Sequence, residues 1–221
     1  MALTALAFNC TLKASPGPSS TDKLLRELLD ALSEFGVTGD IVRAVDYNIK
    51  PGVSSDEGKG DDWPDLRRRI LASNILIIGS PIWLGQPSSV AKRVLERMDA
   101  FLGETDDKGR MPSYGKVAIA AVVGNEDGAH HVAAEVLQAL LEVGFSAPPG
   151  GVTYWVGEAM GSVNYIDLKT TPKAVADWTP LASNTAHLDV CSMTKAIPGS
   201  AERHIAGAVA LNKKRRQRLR V

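Results

Sequence analysis

The four aliphatics Ile75, Leu76, Ile77 and Ile78 form a run too short to cross a membrane and too uniformly apolar for a sheet with one wet face. They predict a central strand buried on both sides. Ahead of them, Ala2 to Phe8 is an apolar, strand-like segment, followed by a loop of turn-formers from Asn9 to Ser20. A helix is expected to begin at Ser19-Ser20-Thr21, with Leu24, Leu25, Leu28, Leu29 and Leu32 on one face and Gly36 as its stop. Asp40 to Val45 alternates as a second strand would, Lys50 to Gly60 has loop composition, and Asp62 or Asp65 starts a second helix leading into the central strand.

After the central strand, Pro87 is expected to open a helix with Val90, Val94, Leu95, Met98 and Phe101 as its apolar stripe. A polar segment from Gly103 to Gly115 then leads to a further buried strand, Val117 to Val123, and a helix from Ala129 to Val143 closed by Gly144. Val152 to Val156 is a short β-branched and aromatic strand, and Pro172 to Leu188 reads as a closing helix interrupted at Pro180. Strands alternating with helices argue for a parallel sheet covered on both faces, because parallel strands need crossover connections.

In such a sheet the loops after the strands gather on one edge. Asn9 to Ser20 carries Thr11, Lys13, Ser19 and Ser20, with Thr21 at the helix start, where free amides, hydroxyls and the helix dipole favour an anion such as a phosphate. It matches neither the G-x-G-x-x-G dinucleotide pattern nor the nucleoside triphosphate loop. The same residues also suffice to cap a helix. Pro81, Ile82, Trp83, Leu84 and Gly85 offer amides beside a flat apolar surface suited to a planar ring, although an Ile-Trp-Leu run also fits a core. Gly124, Asn125, Glu126, Asp127 and Gly128 either cap the next helix or contact the polar edge of that ring. His130 and His131 follow, open to a solvated or a catalytic role.

Composition narrows the picture. Lys plus Arg equals Asp plus Glu at 25 each, so the whole chain of 221 residues gives no electrostatic reason to expect nucleic acid as a partner. The balance is local rather than uniform, because Lys213 to Arg220 is almost entirely basic and leaves the remainder net acidic. Cys10 and Cys191 are far apart, with neither metal-ligand spacing nor a disulfide framework, which points to a reduced, cytoplasmic protein without a metal. No apolar stretch approaches the roughly 20 residues of a membrane span, so no membrane insertion is expected.

Taken together, NCTLKASPGPSSTDKLL, SPIWLGQPSSVAK and GNEDGAHH, each after a strand of the right kind, make the chain resemble the flavodoxin-like NAD(P)H-dependent FMN reductase and quinone reductase superfamily over Ala2 to Leu188. The resemblance implies an α/β, three-layer, doubly wound sheet of five parallel strands in the order 2-1-3-4-5, in a domain over 1–188; the C-terminal extension over 189–221 has no counterpart in that pattern, and its basic composition leads us to expect a flexible tail. The resemblance also implies FMN and NAD(P)H as cofactors. Thr11, Lys13, Ser19, Ser20 and Thr21 would hold the phosphate, Pro81 to Gly85 would line the isoalloxazine, and Gly124, Asn125, Asp127 and Gly128 would close its pyrimidine side. The chain departs from the pattern in opening its first loop Asn9-Cys10-Thr11 where many relatives have Gly-Ser, and in carrying Lys13 where arginine is frequent.

The resemblance implies hydride passage from nicotinamide to the flavin N5 and on to a small acceptor such as a quinone, azo compound or free flavin. No protein acid or nucleophile is then required. Relatives commonly complete this open edge with a neighbouring subunit, so a homodimer or homotetramer is expected. The rival reading is a flavodoxin-type electron carrier. Carriers tend to be strongly acidic, unlike this neutral chain.

Overall fold

The computed structural model describes residues 3–172, Val175 and 178–194. Its strands are β1 (Leu3–Asn9), β2 (Val37–Arg43), β3 (Ile75–Trp83), the two-residue β4 (Gln86–Pro87), β5 (Val117–Gly124) and β6 (Val152–Val156). The helices are α1 (Ser20–Ser33), α2 (Trp63–Ala72), α3 (Ser89–Arg97), α4 (Ala129–Glu142) and α5 (Thr179–Thr194). The sheet runs β2-β1-β3-β5-β6 with every one of these pairings parallel, and β4 folds back antiparallel on β3. The five long strands therefore stand in the expected doubly wound, flavodoxin-like order.

The aliphatic run works as a centre because its side chains alternate between two cores. Ile75 and Ile77 pack with Leu24, Leu28 and Leu32 of α1 and with Leu181 of α5. Leu76 and Ile78 pack on the other face with Leu66 and Ile70 of α2, Val94 of α3, and Val132 and Val136 of α4. The neighbours β1 and β5 alternate in the same way, so three central strands are buried on both sides.

Several boundaries move. The second strand occupies Val37–Arg43 rather than Asp40 to Val45, because its ladder with β1 starts at Val37 opposite Leu3 and the chain turns into a short 3-10 helix over Ala44–Asp46. The third helix starts at Ser89 rather than Pro87, which is held opposite Ile82 in the return strand, and Ser88 supplies the cap, its hydroxyl accepting from the Ala91 amide at 3.0 Å. Pro81 to Trp83 lie at the end of β3 instead of in a free loop. The closing helix runs Thr179–Thr194, past Leu188. The basic tail lies outside the described residues. Among the described residues, no helix is long and apolar enough to cross a membrane.

Candidate functional site

At the C-terminal ends of β1, β3, β5 and β6 the loops enclose a cleft of about 540 Å3, within the range of roughly 300–1,000 Å3 usual for small-molecule sites. Of the residues expected there, Thr11, Lys13, Ser19, Ser20, Thr21, Pro81, Ile82, Trp83, Leu84, Gly124 and Asn125 line it. Gly85, Asp127 and Gly128 do not.

The first side of the cleft is the start of α1. Ser19 is its N-cap, with the hydroxyl accepting from the Asp22 amide at 3.1 Å and the carbonyl accepting from the Lys23 amide at 3.2 Å. The Ser20 and Thr21 amides come before the first intrahelical donor, at the positive end of the helix. Asn9, buried at the end of β1, fixes this corner from below. Its carbonyl oxygen accepts from the Thr11 amide at 3.1 Å and its amide nitrogen lies 3.4 Å from both Ser19 Oγ and Asp22 Oδ1. Exposed Lys13 supplies the positive charge. Burial pushes the Cys10 thiol well above its ordinary value, so it stays protonated and acts as packing, while its carbonyl accepts from Ser88 Oγ at 2.7 Å.

The second side is the end of β3. Trp83 is half exposed and Leu84 almost wholly so, where the chain reverses into β4. The reversal needs glycine twice. Gly85 has φ 73°, and Gly128 has φ 115° with its Cα facing the Gly85 backbone so closely that an added Cβ would stand 2.7 Å from Gly85 Cα. Gly85 and Gly128 therefore brace two loops against each other behind the cleft. His131 lies against Gln86 (3.2 Å) and Glu135 (2.7 Å), and His130 stacks edge-on against Tyr154, so neither lines the cleft.

The third side was missed from the sequence. The segment after β6 crosses the open edge and brings Met160, Asn164 and Tyr165 into the lining, together with Trp155 from β6 itself. It is tied at both ends. Asn125 Nδ2 donates to the carbonyls of Gly161 (3.2 Å) and Val163 (3.0 Å), while Lys23 Nζ donates to those of Tyr165 (3.3 Å) and Leu168 (2.5 Å). Ser20 Oγ accepts from the Ile166 amide at 3.2 Å, and the Tyr165 hydroxyl donates to Glu27. Burial first, then the Glu27 carboxylate, push that hydroxyl far above its ordinary value, so it remains a donor. The rule that gathers the loops after β1, β3 and β5 applies equally to β6, and Trp155 was the visible signal.

The arrangement can hold a ligand with an anionic end at α1 and a flat apolar body between Trp83, Ile82 and Trp155. That donor set and those walls fit FMN. Among the described residues no group of three or more His, Cys, Asp or Glu could hold a metal.

The family match and two of the three similar proteins agree with this chemistry. A family profile described as NADPH-dependent FMN reductase matches residues 4–160. The 8-demethyl-8-aminoriboflavin-5'-phosphate synthase of Streptomyces davaonensis is 35% identical over 202 residues, covering 85% of this chain and 77% of that protein. The crystal structure of RosB with bound intermediate OHC-RP (8-demethyl-8-formylriboflavin-5'-phosphate) superposes with a TM-score of 0.83 at 32% identity, over 96% of this chain and 88% of that one. The divalent metal cation transporter MntH of Mycobacterium bovis is 41% identical over 169 residues, 75% of this chain, and the chain spans only a quarter of that relative's length.

Proposed function

Since the chain belongs to the NADPH-dependent FMN reductase family, we propose that it is an FMN-containing oxidoreductase that takes hydride from NAD(P)H and delivers the electrons to a quinone, an azo compound, free flavin or a similar small acceptor. The observation that carries this reading is the single cleft in which the hydroxyl-rich start of α1 meets the apolar end of β3. Bound FMN supplies the hydride-accepting and hydride-donating chemistry. Thr11, Ser20, Thr21 and the α1 amides hold its phosphate, with Lys13 countering the charge. Pro81, Ile82, Trp83 and Trp155 line the ring and keep water from it, and Gly124 and Asn125 close its polar edge. The open side of the cleft suits completion by a second copy of the chain in a homodimer or homotetramer.

The chain purified from a reducing cytoplasmic host is expected to be yellow, to release FMN on denaturation, and to bleach on anaerobic mixing with NADPH or NADH. Adding a quinone then restores the colour. A colourless protein that takes up no FMN would overturn the reading, and a yellow one that nicotinamide does not bleach would favour an electron carrier. In a second reading, which rests on the relative from Streptomyces davaonensis, an 8-demethyl-8-aminoriboflavin-5'-phosphate synthase, this chain likewise makes a modified flavin. In that case the flavin recovered after turnover has a changed mass; an unchanged mass supports the reductase.

A further inference from the structure

Two residues other than glycine have left-handed backbone among the described residues, Leu84 (φ 52°) and Met160 (φ 61°), and both line the cleft. They are also the most exposed large apolar side chains, at 91% and 98%. Each combines two costs, a strained backbone and a bare hydrophobic side chain in water, and such strain persists only where the surroundings impose it. The surroundings here are one dipeptide. The Leu84 amide donates to Glu126 Oε1 at 3.0 Å, and the Met160 amide donates to the Asn125 carbonyl at 3.2 Å. Because β5 lies between β3 and β6, Asn125 and Glu126 at its end stand between the two residues they hold.

We propose that Leu84 and Met160 are the two arms of an apolar clamp for the second, planar aromatic reactant of this cleft, and that Glu126 is a positioning residue that keeps the Leu84 arm raised. This rests on the FMN reductase reading, because the clamp grips whatever lies against the bound flavin. The shape follows from the surroundings: aromatic Trp83 and Trp155 flank the arms in the same lining, so a flat apolar molecule gains contact on several sides. Being exposed, neither arm contributes to the core, and truncating it leaves the fold intact. Glu126 also lines the cleft, and its role in the clamp is the hydrogen bond it accepts from the Leu84 amide.

The test uses the full-length chain saturated with FMN, so that any change in flavin affinity drops out. A redox-inert naphthalene carboxylate is titrated and its binding followed by the perturbation of the flavin absorbance. Leu84→Ala and Met160→Ala are each expected to raise its Kd by about tenfold, the equivalent of about 1.4 kcal/mol, and to raise KM for a planar quinone more than they lower kcat. Glu126→Ala should imitate Leu84→Ala and add little to it in the double variant, while Glu126→Gln, which keeps the acceptor oxygen, should restore binding. Unchanged naphthalene carboxylate binding in the Leu84→Ala/Met160→Ala double variant overturns the clamp while leaving the reductase reading intact. Conversion of a dimer to a monomer in that variant, with binding unchanged, also overturns it and assigns the two residues to a subunit contact. A wild-type chain that takes up no FMN overturns the reductase reading and the clamp with it.

Discussion

Two irregular regions of the molecule treat polarity in opposite ways. In the loop between Asp46 and Trp63, rich in charge and glycine, one charge turns inward: the side chains of Asp61 and of Arg97, at the end of α3, are wholly buried and paired at 2.8 Å. Arg97 also donates to the carbonyls of Lys50 (2.9 Å) and Ser54 (3.0 Å), and its guanidinium lies 5.6 Å from the Trp63 ring. Around the cleft, by contrast, large apolar side chains stand in water and the backbone is strained. A polar composition thus marks a strut in one place, while an apolar exposure marks the binding edge in the other. The difference separates what holds this protein together from what lets it bind.

The largest effect expected is therefore far from the cleft. Asp61→Asn leaves the Arg97 charge buried without its partner and should cost about 3–5 kcal/mol of stability, read as a lowered denaturant midpoint. The flavin bound per folded molecule should stay as it was. The same pair gives a pH dependence. Burial alone would raise the Asp61 carboxyl, but the hydrogen bonds from Arg97 and from the Glu57, Trp63 and Lys50 amides outweigh it and hold it well below the ordinary carboxylate range. Its folded value lies below its unfolded value of about 3.9, so its contribution is complete above that pH and is lost as pH falls further towards the folded value. Urea unfolding at a series of acid pH values should show the gap between wild type and Asp61→Asn narrowing below about pH 4. A gap independent of pH would mean that the charge of Asp61 is not what the strut uses.

A smaller effect is expected where the two regimes meet, at the brace behind the cleft. Gly128→Ala introduces a Cβ 2.7 Å from Gly85 Cα at a φ of 115°. The strain should cost about 1–3 kcal/mol and, because the displaced atoms are backbone of the reversal that carries Leu84, should weaken FMN binding as well. Stability and flavin affinity falling together would distinguish this brace from the Asp61 strut, where only stability falls.

The sequence made the sheet legible because Ile75 to Ile78, Val117 to Val123 and the leucines of α1 carry unambiguous periodicity. Those patterns are imposed by burial on two faces, which leaves little freedom of composition. The start of α1 and the end of β3 were legible for the same reason: hydroxyls and an Ile-Trp-Leu run sit next to elements already located. The segment after β6 was not, since Met160, Asn164 and Tyr165 have no period and gain their place from distant partners, Asn125 on β5 and Lys23 on α1. The Arg97–Asp61 pair was equally hidden. A buried charge has no local signature, and Lys50 to Gly60 has the composition of any solvated loop.

The smallest effect expected concerns His131, which sequence position alone left open to a catalytic role. It is exposed and lies outside the lining, with its ring nitrogen 2.7 Å from Glu135 and 3.2 Å from Gln86. The Glu135 carboxyl is held below its ordinary value first by the hydrogen bond from Lys92, with burial opposing and His131 contributing less, so the histidine is a secondary partner of a lysine pair. An exposed side-chain contact of this kind contributes roughly 0–1 kcal/mol. His131→Gln should therefore shift the unfolding midpoint only slightly and leave the pH profile of nicotinamide-dependent bleaching unchanged. Loss of one limb of that profile would move His131 from the supporting side of the comparison to the binding side, and would require the β4 reversal, where Gln86 sits, to shift on reduction.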